Sequence, residues 1–217
     1  MTSSIPSATV ARLPRYLRCL SDMATNAAQC SSEQLASVSG CTAAQVRKDL
    51  SYLGTHGTRG VGYDIGQLMG QIRDVLGMNR SHPVVIVGAG NLGTALTNYK
   101  GFENWGFAIV AVLDVDEDKI GSPLDGLVVG SVHDLESIID ELGVEIGIIT
   151  TPPSAAQAAA DRMMAAGIKS ILNLAPVVLK TQPDVSVRRV DLSTELGILA
   201  HHLSAAQLQK RQSEHAG

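Results

Sequence analysis

The run Val84-Val85-Ile86-Val87 leads straight into Gly88-Ala89-Gly90-Asn91-Leu92-Gly93. A GxGxxG spacing directly after a β-branched run predicts a strand, a tight turn and a helix. Gly88 allows the bend, Gly90 lets a pyrophosphate approach the backbone, and Gly93 lets the helix pack on the strand. Ala89, Asn91 and Leu92 share that turn and are candidate contacts with it. A second apolar run over 108–113 ends in Asp114, 21 residues after Gly93. A carboxylate there can accept both ribose hydroxyls of an adenosine. Asp116 follows closely and no cation appears before Lys119, so a 2′-phosphate would meet negative charge. The expected ligands are NADH and NAD⁺ rather than their phosphorylated counterparts.

Further along, strands are predicted over 146–150 and 170–174, with helices over 135–142 and after Pro152-Pro153. Thr150, Thr151 and Asn173 then stand at C-terminal strand ends, where open α/β sheets bind ligands. They are candidates for the nicotinamide side. Turn formation and helix capping are the competing roles for Thr151 and Asn173.

A different chemistry is written before residue 80. Val10, Leu13, Leu17 and Leu20 mark one face of a helix that Pro14 either kinks or enters in its first turn. Ser32 can cap a short helix over 33–39 that Gly40 stops, and Thr42-Ala43-Ala44-Gln45 reads as a capping box opening another. In this second helix Val46, Leu50 and Leu53 face inward, leaving Ala44, Arg47, Lys48 and Ser51 outward. Small residues in the first turn permit close approach to base edges, and Arg47 or Lys48 can pair with guanine or phosphate. Residues 54–63 hold four glycines around Arg59, which suits a hairpin wing reaching phosphates or a minor groove. Asp64 then caps a helix carrying Ile65, Leu68, Ile72, Val75 and Leu76. The candidate DNA contacts are Ala44, Gln45, Arg47, Lys48, Ser51 and Arg59.

These two chemistries need separate supports. The chain of 217 residues has 45% hydrophobic and 18% charged residues, enough for packed cores in two domains. Residues 1–82 carry eight Lys and Arg against five Asp and Glu, while 83–217 carry nine against sixteen. A basic first part on an acidic remainder directs any polyanion to the N-terminus. The expected division is a winged-helix (helix-turn-helix) domain over 1–80, a Rossmann domain over 81–190, a helix over 191–208 and a tail over 209–217. The fold class is α/β. Asp191 or Ser193 can cap the terminal helix, whose Leu192, Leu196, Leu199, Leu203 and Ala206 step by fours and threes. Such a seam serves dimerisation or packing on its own domain.

Cys19, Cys30 and Cys41 form no CxxC pair, so neither a disulfide framework nor a metal site is expected. No stretch reaches the ~18 apolar residues of a membrane span. The N-terminus lacks a secretory signal, and a cytoplasmic protein is expected. A dehydrogenase would also need a substrate-binding part with a positioned acid or base. Only 41 residues follow Pro176, and their histidines, His201, His202 and His215, do not converge. A regulator is therefore favoured over a small NAD-dependent reductase or dehydrogenase. A CoA-binding module of the same fold is the third reading.

The strings RLPRYLR (12–18), QVRKDLSYLG (45–54), GTRGVGY (57–63), VGAGNLG (87–93), ITTPP (149–153), ILNLAPVVL (171–179) and VDLSTEL (190–196) stand in this order along the chain. In combination they make the sequence similar to the Rex family of redox-sensing transcriptional repressors. That resemblance implies a homodimer with winged helices, NAD(H)-binding Rossmann domains and a swapped C-terminal helix. It implies repression of respiratory and fermentative genes, with release from double-stranded operator DNA as NADH rises. It also implies DNA contacts from Arg47, Lys48 and Arg59, and an Arg18, Tyr99, Asp191 network coupling the domains. Where some relatives place an aromatic beside the nicotinamide, this chain has Leu192.

Overall fold

The computed structural model describes residues 5–55, 57, 58 and 60–215, with side chains described through residue 204. Its two compact units are Met1–Ser81 and His82–Gly217.

The first unit contains α1 (Ser7–Met23), β1 (Gln29–Cys30), α2 (Ser32–Ser39), α3 (Ala43–Ser51), β2 (Tyr63–Asp64) and α4 (Ile65–Leu76). Leu13, Tyr16, Leu17 and Leu20 of α1 are buried with Leu35, Val46, Leu50, Ile65, Leu68 and Ile72. Two expectations for α1 need correction. Val10 is exposed, and the buried face runs instead through Thr9 and Tyr16, whose hydroxyls both bond a buried carboxylate. Pro14 neither breaks the helix nor starts it but lies inside it. It sits on the exposed side, where water can take the bond lost by the carbonyl one turn earlier.

The caps are also redistributed. Ser31, not Ser32, caps α2: its hydroxyl accepts from Gln34 N while Gln34 Oε1 accepts from Ser31 N, a reciprocal box. Thr42 caps α3 by accepting from Gln45 N, but the Gln45 amide turns away to Asp49, so this box is only half formed. Asp64 caps α4 as expected. Leu53 lies beyond α3 and is half-buried, and Val75 of α4 is exposed. Between α3 and α4, Thr58 and Gly62 exchange two backbone bonds of 2.8 Å, and β1 pairs antiparallel with β2. The glycine-rich segment thus closes into a hairpin. Arg59 lies outside the described residues.

The second unit is a seven-stranded sheet of β3 (His82–Val87), β4 (Phe107–Asp114), β5 (Pro123–Leu124), β6 (Leu127–Ser131), β7 (Ile146–Ile149), β8 (Ser170–Asn173) and β9 (Ser186–Arg189). Their order is β5-β6-β4-β3-β7-β8-β9, parallel except for the short edge strand β5. Along β3 the side chains alternate: Val85 and Val87 join one core, Val84 and Ile86 the other. Both faces are therefore covered, as parallel sheets require. α6 (Leu135–Leu142) and α7 (Pro153–Ala165) cover the first face, and α5 (Asn91–Thr97) contributes to the second. Strand order reverses between β3 and β7, which opens the crevice where ligands bind in such sheets.

The terminal helix α8 (Leu192–His215) is longer than the expected 191–208, so most of the expected tail is helical. Gly197 does not interrupt it. Asp191 caps it, Oδ1 accepting from Ser193 N at 3.0 Å. Leu192, Leu196, Leu199 and Leu203 are all at least 58% exposed; Ala206 lies beyond the described side chains.

Candidate functional site

At the crevice, a cavity of about 560 Å³ opens between the GxGxxG turn, the end of β4 and α7. Gly88 has φ +112°, and a Cβ there would lie 2.9 Å from the backbone of Thr150. At Gly93 a Cβ would lie 1.9 Å from the Gly88 carbonyl oxygen, so α5 can sit against the turn only without one. Gly90 differs. A Cβ there would meet no protein atom within 4 Å, and the residue faces the cavity. The protein's own packing does not require this glycine, which leaves the backbone open to close approach from the cavity. Asn91 and Leu92 are exposed in the first turn of α5.

Asp114 is 7% exposed at the rim. Its Oδ1 accepts from the backbone of Val115 and Asp116, and Oδ2 from Ala89 N at 2.7 Å. Burial pushes its pKa up, but these bonds and the Lys119 ammonium outweigh that and hold the carboxyl below its ordinary value. With no cation before Lys119 in the sequence, bare negative charge is expected at this rim. Instead a turn closed by Lys119 N on the Asp116 carbonyl brings Nζ to 3.3 Å from Asp114 and 3.2 Å from Asp116. The acidic rim is therefore partly neutralised.

Thr150 and Thr151 both line the cavity but differ in their bonds. The Thr150 hydroxyl donates to the Gly88 carbonyl at 2.7 Å and lies 3.1 Å from that of Val87, tying β7 to the turn. The Thr151 hydroxyl oxygen is the buried side-chain polar atom that has no hydrogen-bond partner among the described residues. A hydroxyl so placed has its bonding capacity left for a ligand. Asn173 is corrected: it is 1% exposed, its amide donates to the Val177 carbonyl, and its Oδ1 accepts from Ala175 N. It builds the turn after β8 rather than lining the cavity. Sequence reasoning missed Ala155, Ala158, Ala159 and Arg162 of α7, which also line the cavity. No local pattern signals them, because their role follows from α7 lying over the sheet.

In the first unit Ala44, Arg47, Lys48 and Ser51 are exposed along α3, as their spacing predicts. The Arg47 Nη1 is held by the Ser32 hydroxyl and Glu33. Gln45 is corrected: its amide donates to Asp49 Oδ1 at 3.0 Å, toward the core. Asp49, missed from sequence, is fully buried and accepts from Thr9, Arg12, Tyr16 and Gln45. An acid among the apolar positions of α3 was its only signal. Of the residues implied to couple the domains, Arg18 is exposed on α1. Tyr99 is half exposed with its ring edge-on to Phe102, and Asp191 stands 4.0 Å from Arg189.

Residues 4–51 match a family described as putative DNA-binding protein N-terminus, and residues 79–177 match the CoA binding domain family. The redox-sensing transcriptional repressor Rex of Streptomyces griseus is 53% identical over 199 residues, 91% of this chain and 79% of that protein. Its counterpart in Syntrophobacter fumaroxidans is 44% identical over 204 residues, 93% of this chain and 97% of that protein. The chain belongs to the Rex family. The crystal structure of RSP in complex with β-NAD⁺ and operator DNA superposes with a TM-score of 0.87 at 35% identity, covering 97% of this chain and 98% of that one. RSP in complex with β-NADH gives 0.86 at 34% identity, covering 96% and 99%. Rex architecture, a DNA-binding N-terminal domain followed by a Rossmann-like domain, is thus the architecture of this α/β chain. Among the described residues no helix is long and apolar enough to cross a membrane. No group of three or more His, Cys, Asp or Glu among them is placed to hold a metal.

Proposed function

We propose that the chain is a transcriptional repressor that binds inverted-repeat operator DNA as a homodimer and is released from it by NADH. The observation that carries this is the match, over 97% of the chain, to a Rex-family repressor solved with both β-NAD⁺ and operator DNA. Three features of the cavity support it. Asp114 stands at the cavity rim, where the long 3.3 Å contact of Lys119 on Oδ2 is the one a ribose hydroxyl would replace, Gly90 leaves room for the pyrophosphate, and Thr151 offers a hydroxyl without a partner. CoA carries a 3′-phosphate on its ribose, which would stand against Asp114 and Asp116; NAD(H) carries none. Hence NADH and NAD⁺ are the sensed ligands.

The two ligands differ by one charge. The nicotinamide ring is cationic in NAD⁺ and neutral in NADH, so an apolar site desolvates NADH at lower cost. A closed dimer favoured by NADH places its two recognition helices out of register with successive major grooves. DNA and NADH then weaken each other's binding by the same factor, and a 100-fold effect requires about 2.7 kcal/mol of coupling. The four exposed leucines of α8 support a partner helix from a second protomer. Arg18, Tyr99 and Asp191 are proposed as the contacts that differ between ligand states. The chain works in the cytoplasm as a sensor rather than an enzyme, with NADH bound and released unchanged. The test is fluorescence anisotropy of a labelled inverted-repeat duplex during NADH titration. Operator binding that is insensitive to NADH overturns the reading, as does steady NADH oxidation with an added carbonyl substrate.

A further inference from the structure

The exposed arginine of α3 is bonded to two side chains of the preceding helix. Arg47 is exposed on α3, yet its Nη1 is held by the Ser32 hydroxyl at 2.9 Å and Glu33 Oε1 at 2.8 Å, both on α2. These two acceptors are themselves well placed. Ser32 is 6% exposed, and the reciprocal Ser31–Gln34 box fixes the turn that carries Glu33. On its other side α3 is pinned through Asp49 to Thr9, Arg12 and Tyr16 of α1. The helix therefore resists rolling to follow its arginine.

A guanidinium is a planar fork of five donors. With Nη1 held, its plane is set, and the edge formed by Nε and Nη2 takes no acceptor from the described residues. Guanine presents N7 and O6 as a matched pair of acceptors in the major groove. We infer that Glu33, with Ser32, is a positioning residue that makes Arg47 a guanine reader rather than a general phosphate contact. This rests on the DNA-binding reading of α3. The pair is exposed at both ends, so its contribution to folding is small. Its effect lies in discrimination. The Glu33 carboxylate also repels nearby phosphates, so removing it raises non-specific affinity while lowering sequence preference, two changes of opposite sign.

The experiment is binding selection from a pool of duplexes with randomised inverted half-sites, followed by sequencing, for wild type, Glu33→Ala and Glu33→Gln. Affinity for a scrambled duplex is measured alongside. Wild type should prefer G·C at one position of each half-site by about tenfold or more. Glu33→Ala should narrow this to about two- to threefold at that position alone, with scrambled DNA bound at least as tightly as by wild type. Glu33→Gln keeps an oxygen for Nη1 and should recover part of the preference. A wild-type profile in Glu33→Ala, or an equal loss on specific and scrambled DNA, overturns the inference. A wild type with no sequence preference overturns the DNA-binding reading itself.

Discussion

Arg12 and Asp49, 37 residues apart, form a bidentate ion pair from α1 to α3, with Nε to Oδ2 at 2.6 Å and Nη2 to Oδ1 at 2.7 Å. Tyr16, Thr9 and Gln45 take the remaining lone pairs, so a fully buried carboxylate is saturated on the inner side of the helix whose outer side carries Arg47 and Lys48. Burial raises the Asp49 pKa, but the bonds from Arg12, Tyr16, Thr9 and Gln45 prevail and bring it to about 2. Its folded value is thus below its unfolded one. The pair's contribution is complete above about pH 4 and is lost as pH falls toward 2, amounting to about 2 kcal/mol. Asp49→Asn should remove that acid-sensitive step and destabilise the first unit by about 3–5 kcal/mol, because Arg12 then loses its partner. Urea unfolding at pH 7 and pH 3, followed by circular dichroism, measures both; equal losses in wild type and variant between these pH values would refute the assignment.

Arg47→Ala and Lys48→Ala should each lower operator affinity about tenfold or more while NADH binding is retained, since both side chains face outward from α3. Gel shifts at matched salt separate their roles. Lys48→Ala, a phosphate contact, should reduce the salt slope by about one, and Arg47→Ala should weaken specific sites more than scrambled ones.

Asp114→Ala removes the ribose acceptor and releases Lys119, which is now paired with both Asp114 and Asp116. NADH should bind about tenfold more weakly and the preference over NADPH should narrow, because one of the two carboxylates facing a 2′-phosphate is gone and Lys119 keeps only Asp116 as its partner. Calorimetry giving an unchanged NADH/NADPH ratio would move the ribose site to Asp116.

Asp191 caps α8 through Oδ1, so an alanine there would remove a cap as well as a charge. Asp191→Asn keeps the accepting oxygen and is the cleaner probe of coupling. The variant should bind NADH and operator separately, yet show a roughly ten- to hundred-fold smaller effect of NADH on operator affinity if the lost contact is worth about 1.5–3 kcal/mol in one ligand state. Release from DNA at the wild-type NADH concentration would show that the switch does not run through this carboxylate.

Leu199→Asp places a charge in the middle of the exposed leucine stripe of α8. If that stripe is buried between protomers, the variant should sediment as a monomer and lose operator affinity by two orders of magnitude or so while its Rossmann unit still binds NADH. A dimer of wild-type stability would place the interface elsewhere.

Much of this protein is decided within short stretches of sequence. The strand and GxGxxG turn at 84–93, the carboxylate ending β4 at Asp114, the outward face of α3 and the cap at Asp64 all follow from periodicity and turn chemistry acting over a few residues. The turn of the wing is partly local, Thr58 closing onto Gly62 across a glycine-rich stretch, although Gly62 is also needed because a Cβ there would meet the Cys30 carbonyl. Tertiary structure decided the rest. Asn173 became a turn-builder because the loop after β8 folds over it, and Lys119 became a partner of Asp114 because the chain reverses at Asp116. Thr9, Arg12 and Tyr16 gained their meaning only when their side chains on α1 met Asp49 of α3. Such contacts join residues 33 to 40 positions apart, and their energies depend on burial and mutual orientation, which local spacing does not encode.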